Sequence, residues 1–324
     1  MRKVLVTGGA GYIGSHTSKL LAANGYIPVC YDNLSEGHAD FVKWGPLEIG
    51  ELHDTKKLVD VINAHKPEAV IHFAASAYVG ESVNNPFKYY KNNVGGTLSL
   101  LEAMKITKLK NIVFSSTCAT YGIPEVDLID EAHPQRPINP YGNTKLIVEK
   151  ILHDLSINND INYISLRYFN AAGADSEGEI GENHHPETHL IPLAIFSALR
   201  LEQEELQIFG TDFPTQDGTA IRDYIHVEDL ASAHLKALEY LKVNKTSNIF
   251  NLGVGKGVSV KKIISTLNEL GLNVNFINSP RREGDPSCLV ADASKSRTIL
   301  KWEPKYTHIK DILLTADEWH KKNV

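Results

Sequence analysis

The chain has 324 residues, 42% of them hydrophobic and 22% charged, enough for a core that needs neither disulfide nor metal to close it. A net charge of −6 does not favour a nucleic-acid surface, and no apolar run approaches the length of a membrane span. Three cysteines without a close pair, Cys30, Cys118 and Cys288, argue against a disulfide framework and for a reduced, cytoplasmic setting; the first residues lack the features of a signal peptide.

Along the chain, short apolar runs alternate with amphipathic segments. Val4–Thr7, Ile27–Tyr31, Ala69–Phe73, Asn111–Ser115 and Tyr163–Tyr168 read as buried strands. Tyr12–Asn24, Thr55–His65, Val94–Met104 and Tyr141–Asn158 read as the helices between them. Continuous apolar strands separated by helices predict an α/β fold, a doubly wound parallel sheet of Rossmann type. Beyond Ala171 the pattern is less regular. Residues 171–189 and 212–223 read as polar loops, and Ile191–Leu201, Val258–Leu270 and Asp311–Lys321 as helices. The expected division is a dinucleotide-binding domain over 1–170 and a smaller α/β lobe over 171–324 for the substrate, with some of its elements returning to the main sheet.

Thr7-Gly8-Gly9-Ala10-Gly11-Tyr12-Ile13-Gly14 follows the first strand and opens the first helix. In that context, Gly8, Gly11 and Gly14 permit a tight turn and close approach of backbone to a pyrophosphate. The helix N-terminus then offers free N–H groups and a positive dipole end. Asp32 follows the second strand, 18 residues after Gly14; a carboxylate there accepts from both ribose hydroxyls and repels a 2′-phosphate, favouring NAD over NADP.

Tyr141 and Lys145 stand four residues apart, on one face of a predicted helix. An ammonium beside a phenol favours the phenolate, so Tyr141 is a candidate general base for a hydroxyl proton. Thr117, at the end of the strand 111–115, would meet both at the carboxyl edge of the sheet, where ligands of open α/β sheets bind. Its hydroxyl both donates and accepts.

Through these runs the sequence resembles the UDP-glucose 4-epimerases, nucleotide-sugar epimerases of the extended short-chain dehydrogenase/reductase family. The likeness spans essentially the whole chain. It includes VTGGAGYIGSH at 6–16, FSSTCATYG at 114–122, NPYGNTK at 139–145, LRYFNAAGA at 166–174 and RREGDPSCLVADASK at 281–295. The resemblance implies Thr117, Tyr141 and Lys145 as the catalytic group. For NAD it implies contacts from Gly8, Gly11, Tyr12, Ile13, Gly14, Asp32, Asn33, Glu51, Leu52, Phe73, Ala74, Asn92, Lys145 and Tyr168. For the UDP-sugar it implies Thr117, Tyr141, Asn170, Leu190, Phe209, Arg222, Arg282 and Asp285. Two guanidinium groups suit a diphosphate, Asp285 could hold ribose hydroxyls, and Phe209 offers an apolar wall to uracil. The implied activity is C4 epimerisation of UDP-glucose and UDP-galactose through a 4-keto intermediate, with NAD kept bound. A homodimer through helices 94–104 and 141–158 is implied in the same way.

Some positions depart from the family pattern. Ala77 replaces a lysine carried by some members, Thr117 a serine, and His189 an asparagine. Leu289 stands where a larger aromatic side chain restricts N-acetylated sugars, which leaves UDP-N-acetylglucosamine open as a substrate. UDP-xylose and UDP-glucuronate remain alternatives, as does a non-catalytic NAD-sensing protein. A 4,6-dehydratase is disfavoured, because Cys118 and Ala119 follow Thr117 where an Asp-Glu pair would be needed. His184, His185 and His189 lie in what reads as a solvated loop, and no metal is expected. Cys118 reads as a small buried hydrophobe.

Overall fold

The computed structural model describes residues 2–199, 205–282 and 284–323. Seven parallel strands form the main sheet: β1 (Arg2–Thr7), β2 (Tyr26–Asp32), β3 (Leu47–Ile49), β4 (Ala69–His72), β5 (Asn111–Thr117), β6 (Asn162–Tyr168) and, far along the chain, β10 (Asn248–Leu252). Their order is β3-β2-β1-β4-β5-β6-β10. The chain winds outward from β1 in one direction and from β4 in the other. The reversal between β1 and β4 is the crevice where such sheets take their ligands.

The strands lack polar alternation because both faces are covered. Val4 and Val6 join Ile71, Val113 and Ile164 in one cluster; Leu5 joins Val29, Val70, Ile112 and Phe114 in another. The second face is closed by α2 (Thr55–His65), α5 (Gly96–Thr107) and α6 (Pro140–Ile157), through Leu58 and Ile62, Leu100 and Met104, and Val148 and Leu152. The first face is closed by α8 (Val227–Asn244), through Leu230, Leu238 and Leu241, which packs beside α1 (Tyr12–Ala23).

The other elements form the lobe at the carboxyl edge. Strand β9 (Ile221–His226) is its spine, pairing with β7 (Asn170–Ala172), β11 (Gly257–Ser259) and β13 (Cys288–Leu289); β8 (Leu206–Phe209) pairs with β12 (Phe276–Ser279). Helices α7 (Leu190–Leu199), α9 (Val260–Glu269) and α11 (Ile309–Asn323) share a core with them built on Ile195, Ile208, Tyr224, Ile263, Leu267 and Ile312. Short helices α3 (Val79–Asn84), α4 (Pro86–Tyr89) and α10 (Ser294–Leu300) complete the set.

Three sequence expectations are corrected. The helix expected at Val94–Met104 is two pieces, a π-helical turn over Tyr90–Gly95 and then α5. Helix α8 and strand β10 have no counterpart among the sequence-based elements, so the second half supplies both an edge strand and a covering helix to the main sheet. The polar loop read over 212–223 ends earlier, because Ile221–Asp223 belong to β9. The C-terminal end expected at Leu201 for the helix after Ile191 lies outside the described residues.

Candidate active site

The carboxyl ends of β1, β2, β4, β5 and β6 lie along one edge, with Thr7 opposite both Tyr31 and His72, and Thr117 opposite Tyr168. Gly8 turns the chain off β1 at φ +72°, where side chains are strained. A Cβ there would meet the Ala74 nitrogen at 2.5 Å, and a Cβ at Gly14 would collide with the Gly8 carbonyl. Gly11 is the N-cap of α1, and no side chain caps that end. The first N–H groups of α1 are therefore open to an anion at the sheet crevice. Asp32 lies nearby, buried, its two oxygens accepting from Ala10 N at 3.0 Å and Leu34 N at 2.9 Å. Each oxygen keeps a lone pair for a hydroxyl donor. Asn33 and Glu51 hydrogen-bond beside it, at 3.1 and 3.2 Å to the two carboxylate oxygens. An uncapped helix end and a carboxylate at the tip of β2 fit a dinucleotide.

The catalytic candidates converge at the end of β5. Asn139 caps α6, accepting from Gly142 N at 2.8 Å, with Pro140 at the first helical position. Gly142 lets this helix press onto the turn after β5; a Cβ there would lie 2.5 Å from the Ala119 carbonyl oxygen. Tyr141, Lys145 and Thr117 are consequently buried together, 8%, 4% and 7% exposed. The Lys145 ammonium donates to the Ser115 carbonyl at 2.8 Å and sits 5.9 Å from the centre of the Tyr141 ring. Ser115 Oγ in turn meets Tyr168 Oη at 2.6 Å.

The electrostatics differ from the sequence expectation. Burial raises the Tyr141 phenol above its ordinary range, and the Thr117 hydrogen bond only partly opposes this. Burial also lowers Lys145, to about 7. The ammonium does not by itself make a phenolate here, because the same dry surroundings penalise both charges. Ionising Tyr141 needs a further positive charge at the site.

Two polar networks beneath the site carry no sequence signal of their own. The π-helical turn holds Asn92 and Asn93; Asn93 donates to the Ser76 carbonyl and to Thr144 Oγ1, both at 3.0 Å, and Asn92 donates to Ser76 Oγ at 3.1 Å. Such turns often mark functional positions. Glu149, one turn beyond Lys145 on α6, forms a buried pair with Arg167 at 2.6 Å. Phe73 packs its ring against His234 of α8 at 4.5 Å, so the helix missing from the sequence reading supports this edge.

Apart from Thr117 and Tyr141, the expected UDP-sugar residues belong to the lobe at the carboxyl edge. Arg222 on β9 pairs with Asp285, and the Arg282 guanidinium lies over the Phe209 ring at 3.9 Å. Asn170 stands beside Tyr224 in the β7–β9 register, and Leu190 opens α7. Leu289 is opposite Arg222 in β13 and packs against the cluster of Cys118, Tyr121 and Phe169. That contact ties the arginine side of the cleft to the residue following Thr117. Cys118 is itself buried, its thiol pushed up to about 12.

Residues 4–253 match the model of the NAD dependent epimerase/dehydratase family. The chain belongs to that family. It is 52% identical over 322 residues to the UDP-glucose 4-epimerase of Rhizobium meliloti (strain 1021), covering 98% of this chain and 97% of that one. The crystal structure of UDP-glucose 4-epimerase from Brucella ovis in complex with NAD superposes with a TM-score of 0.95 at 51% identity, over 98% of each chain. The enzyme from Bifidobacterium longum in complex with NAD+ and UDP gives 0.94 at 36% identity, over 99% of this chain and 98% of that one. Both superpositions extend over nearly the whole of this chain, sheet and lobe alike. No helix among the described residues is long and apolar enough to cross a membrane.

Proposed function

We propose that this chain interconverts UDP-glucose and UDP-galactose at C4, using NAD that it keeps bound. The observation that carries the reading is the burial of Tyr141, Thr117 and Lys145 together at the carboxyl end of β5, with Leu289, the strand partner of Arg222, packed against the cluster that holds Cys118. Bound NAD would supply acceptance and return of the C4 hydride. Tyr141 takes the C4 hydroxyl proton and later gives it back, while the Thr117 hydroxyl orients that oxygen. Lys145, fixed by the Ser115 carbonyl, supports the nicotinamide ribose and the developing phenolate. Gly8, Gly11, Tyr12, Ile13 and Gly14 receive the pyrophosphate; Asp32, Asn33, Glu51 and Leu52 the adenosine side; Phe73, Ala74, Asn92 and Tyr168 the nicotinamide side. Residues 1–170 thus serve mainly the cofactor and 171–324 mainly the UDP-sugar.

On the substrate side, Arg222 and Arg282 take the diphosphate, Asp285 the ribose, and Phe209, Leu190 and Asn170 frame the nucleotide and sugar. The 4-keto sugar must present both faces, so the nucleotide is held firmly and the hexose loosely. Elimination of water is disfavoured, since the positions after Thr117 hold the buried thiol of Cys118 and Ala119. Leu289 leaves more room than an aromatic ring, so UDP-N-acetylglucosamine belongs among the sugars to test. A cytoplasmic, homodimeric enzyme completes the reading; Leu98 and Ile106 on α5 and Ile157 on α6 are apolar and exposed, as an interface between copies of these helices requires.

Purified protein incubated with UDP-galactose should yield UDP-glucose in a coupled assay without added NAD, and light scattering should give twice the chain mass. Failure to convert UDP-glucose, UDP-galactose and UDP-N-acetylglucosamine, with cofactor bound, would favour the non-catalytic NAD-binding alternative.

A further inference from the structure

The loop between β7 and α7 brings together Glu182, His184, Glu187 and His189, four side chains with no part in the chemistry above. One ligand atom from each lies within 4.8 Å of all the others. His189 Nδ1 is 2.9 Å from Glu182 Oε1 and 3.0 Å from Glu187 Oε1; His184 Nδ1 is 3.4 Å from Glu182 Oε1 and 3.5 Å from Glu187 Oε2. Four donors at bond lengths of about 2.0–2.1 Å around a tetrahedral ion stand roughly 3.3–3.4 Å apart. The four imidazole–carboxylate separations, 2.9–3.5 Å, bracket that edge.

A second observation points the same way. The side chains of Glu182 and Glu187 are 5% and 3% exposed. His184 Nδ1 and Glu187 Oε2 are buried without a hydrogen-bond partner. Two such atoms aimed at one another are costly to leave unsatisfied. The sequence reading placed these residues in a solvated loop and expected no metal; the burial of both carboxylates changes that account.

We propose that Glu182, His184, Glu187 and His189 are the four ligands of a structural divalent metal site, zinc by its donor set. Two imidazoles and two carboxylates with no thiolate suit a borderline ion rather than magnesium or calcium, which take oxygen ligands. Four protein ligands leave no open position, so the site is structural and not catalytic. The ligands are held from behind: Glu187 Oε1 accepts from Thr188 N at 2.7 Å and His189 N at 2.8 Å, and the Glu182 carbonyl accepts from Trp319 Nε1 of α11 at 3.0 Å. The His184 ring stands edge-on to Tyr12 at the start of α1 and to Tyr78 before α3. A metal here would pin the segment entering α7 to the cofactor-binding half. The site rests on none of the catalytic assignments.

The rival is a cluster held by protons. Two imidazoliums carry the same charge as one divalent ion, and the carboxylates raise His184 to about 9 and His189 to about 10.

Metal analysis of untagged protein decides between them. The expected content after dialysis is about one zinc per chain, restored by zinc chloride after chelator treatment with recovery of a lowered melting temperature. His184→Ala and Glu187→Gln should each lose most of it, while His185→Ala, an exposed neighbour, should keep it. Zinc X-ray absorption on the wild-type protein, which needs no variant to fold, should show only N and O ligands at about 2.0 Å. Wild-type protein without zinc whose melting temperature ignores added zinc overturns the site in favour of the proton-held cluster. Zinc retained by His184→Ala, or sulfur in its shell, also overturns it by placing the ion elsewhere.

Discussion

Gly142→Ala tests how the fold brings the proposed base to its partner. The added methyl would lie 2.5 Å from the Ala119 carbonyl oxygen, a backbone atom in the turn after Thr117. A carbon–oxygen contact of about 3.3 Å is the ordinary close limit, so α6 and that turn must part by about 0.8 Å. Tyr141 precedes the mutated residue and Thr117 precedes the turn, so the separation falls between the two hydroxyls. Misplacement of reacting groups by about 1 Å costs on the order of 100-fold in rate. We expect kcat for UDP-galactose to fall roughly 10- to 100-fold, with bound NAD retained. Overpacking should lower stability by about 1–3 kcal/mol, offset in part by the better helix propensity of alanine. A kcat within about twofold of wild type, in a variant whose unfolding midpoint has dropped, would show that contact between α6 and the turn does not set the catalytic geometry.

Other predictions follow from buried charge. Arg167→Leu leaves the Glu149 carboxylate, 3% exposed, without its guanidinium partner; urea unfolding should register a loss of about 3–5 kcal/mol, and an unchanged midpoint would contradict the pairing. His16, His72 and His234 are lowered by burial from 6.5 to about 4, 3 and 4. The unfolded chain then binds these protons more tightly, so stability falls as pH drops from about 6.5 toward 4, by up to about 1.4 kcal/mol per pH unit for each histidine. The urea midpoint should decline over that range, and His234→Gln should make the decline shallower; a midpoint rising on acidification would refute the sign.

Much of the first half was legible because its signals are local. Buried strands such as Val4–Thr7 read as apolar runs, the glycines at 8, 11 and 14 mark a turn only small residues can make, and Tyr141 and Lys145 share a face wherever a helix forms. What escaped depends on distance along the chain. Strand β10 joins the sheet beside β6 although some eighty residues separate them, and no periodicity announces that pairing. Helix α8 carries Leu230, Leu238 and Leu241 at helical spacing, a signal that is present in the sequence but follows directly on the polar loop read over 212–223. The π-helical turn at Tyr90–Gly95 depends on Asn93 bridging to Ser76 and Thr144, a tertiary constraint. The direction of the Tyr141 shift is hidden for the same reason: spacing shows a lysine nearby but not how dry the site is.

In the proposed reaction the Tyr141 hydroxyl moves the C4 proton. Tyr141→Phe removes one oxygen from a buried ring and leaves the strand-edge cofactor site intact. Conversion of UDP-galactose to UDP-glucose should fall by about 10²–10⁴-fold, while absorbance shows NAD bound at the wild-type ratio. Turnover within about tenfold of wild type would rule out Tyr141 as the proton carrier, whatever else the variant retained.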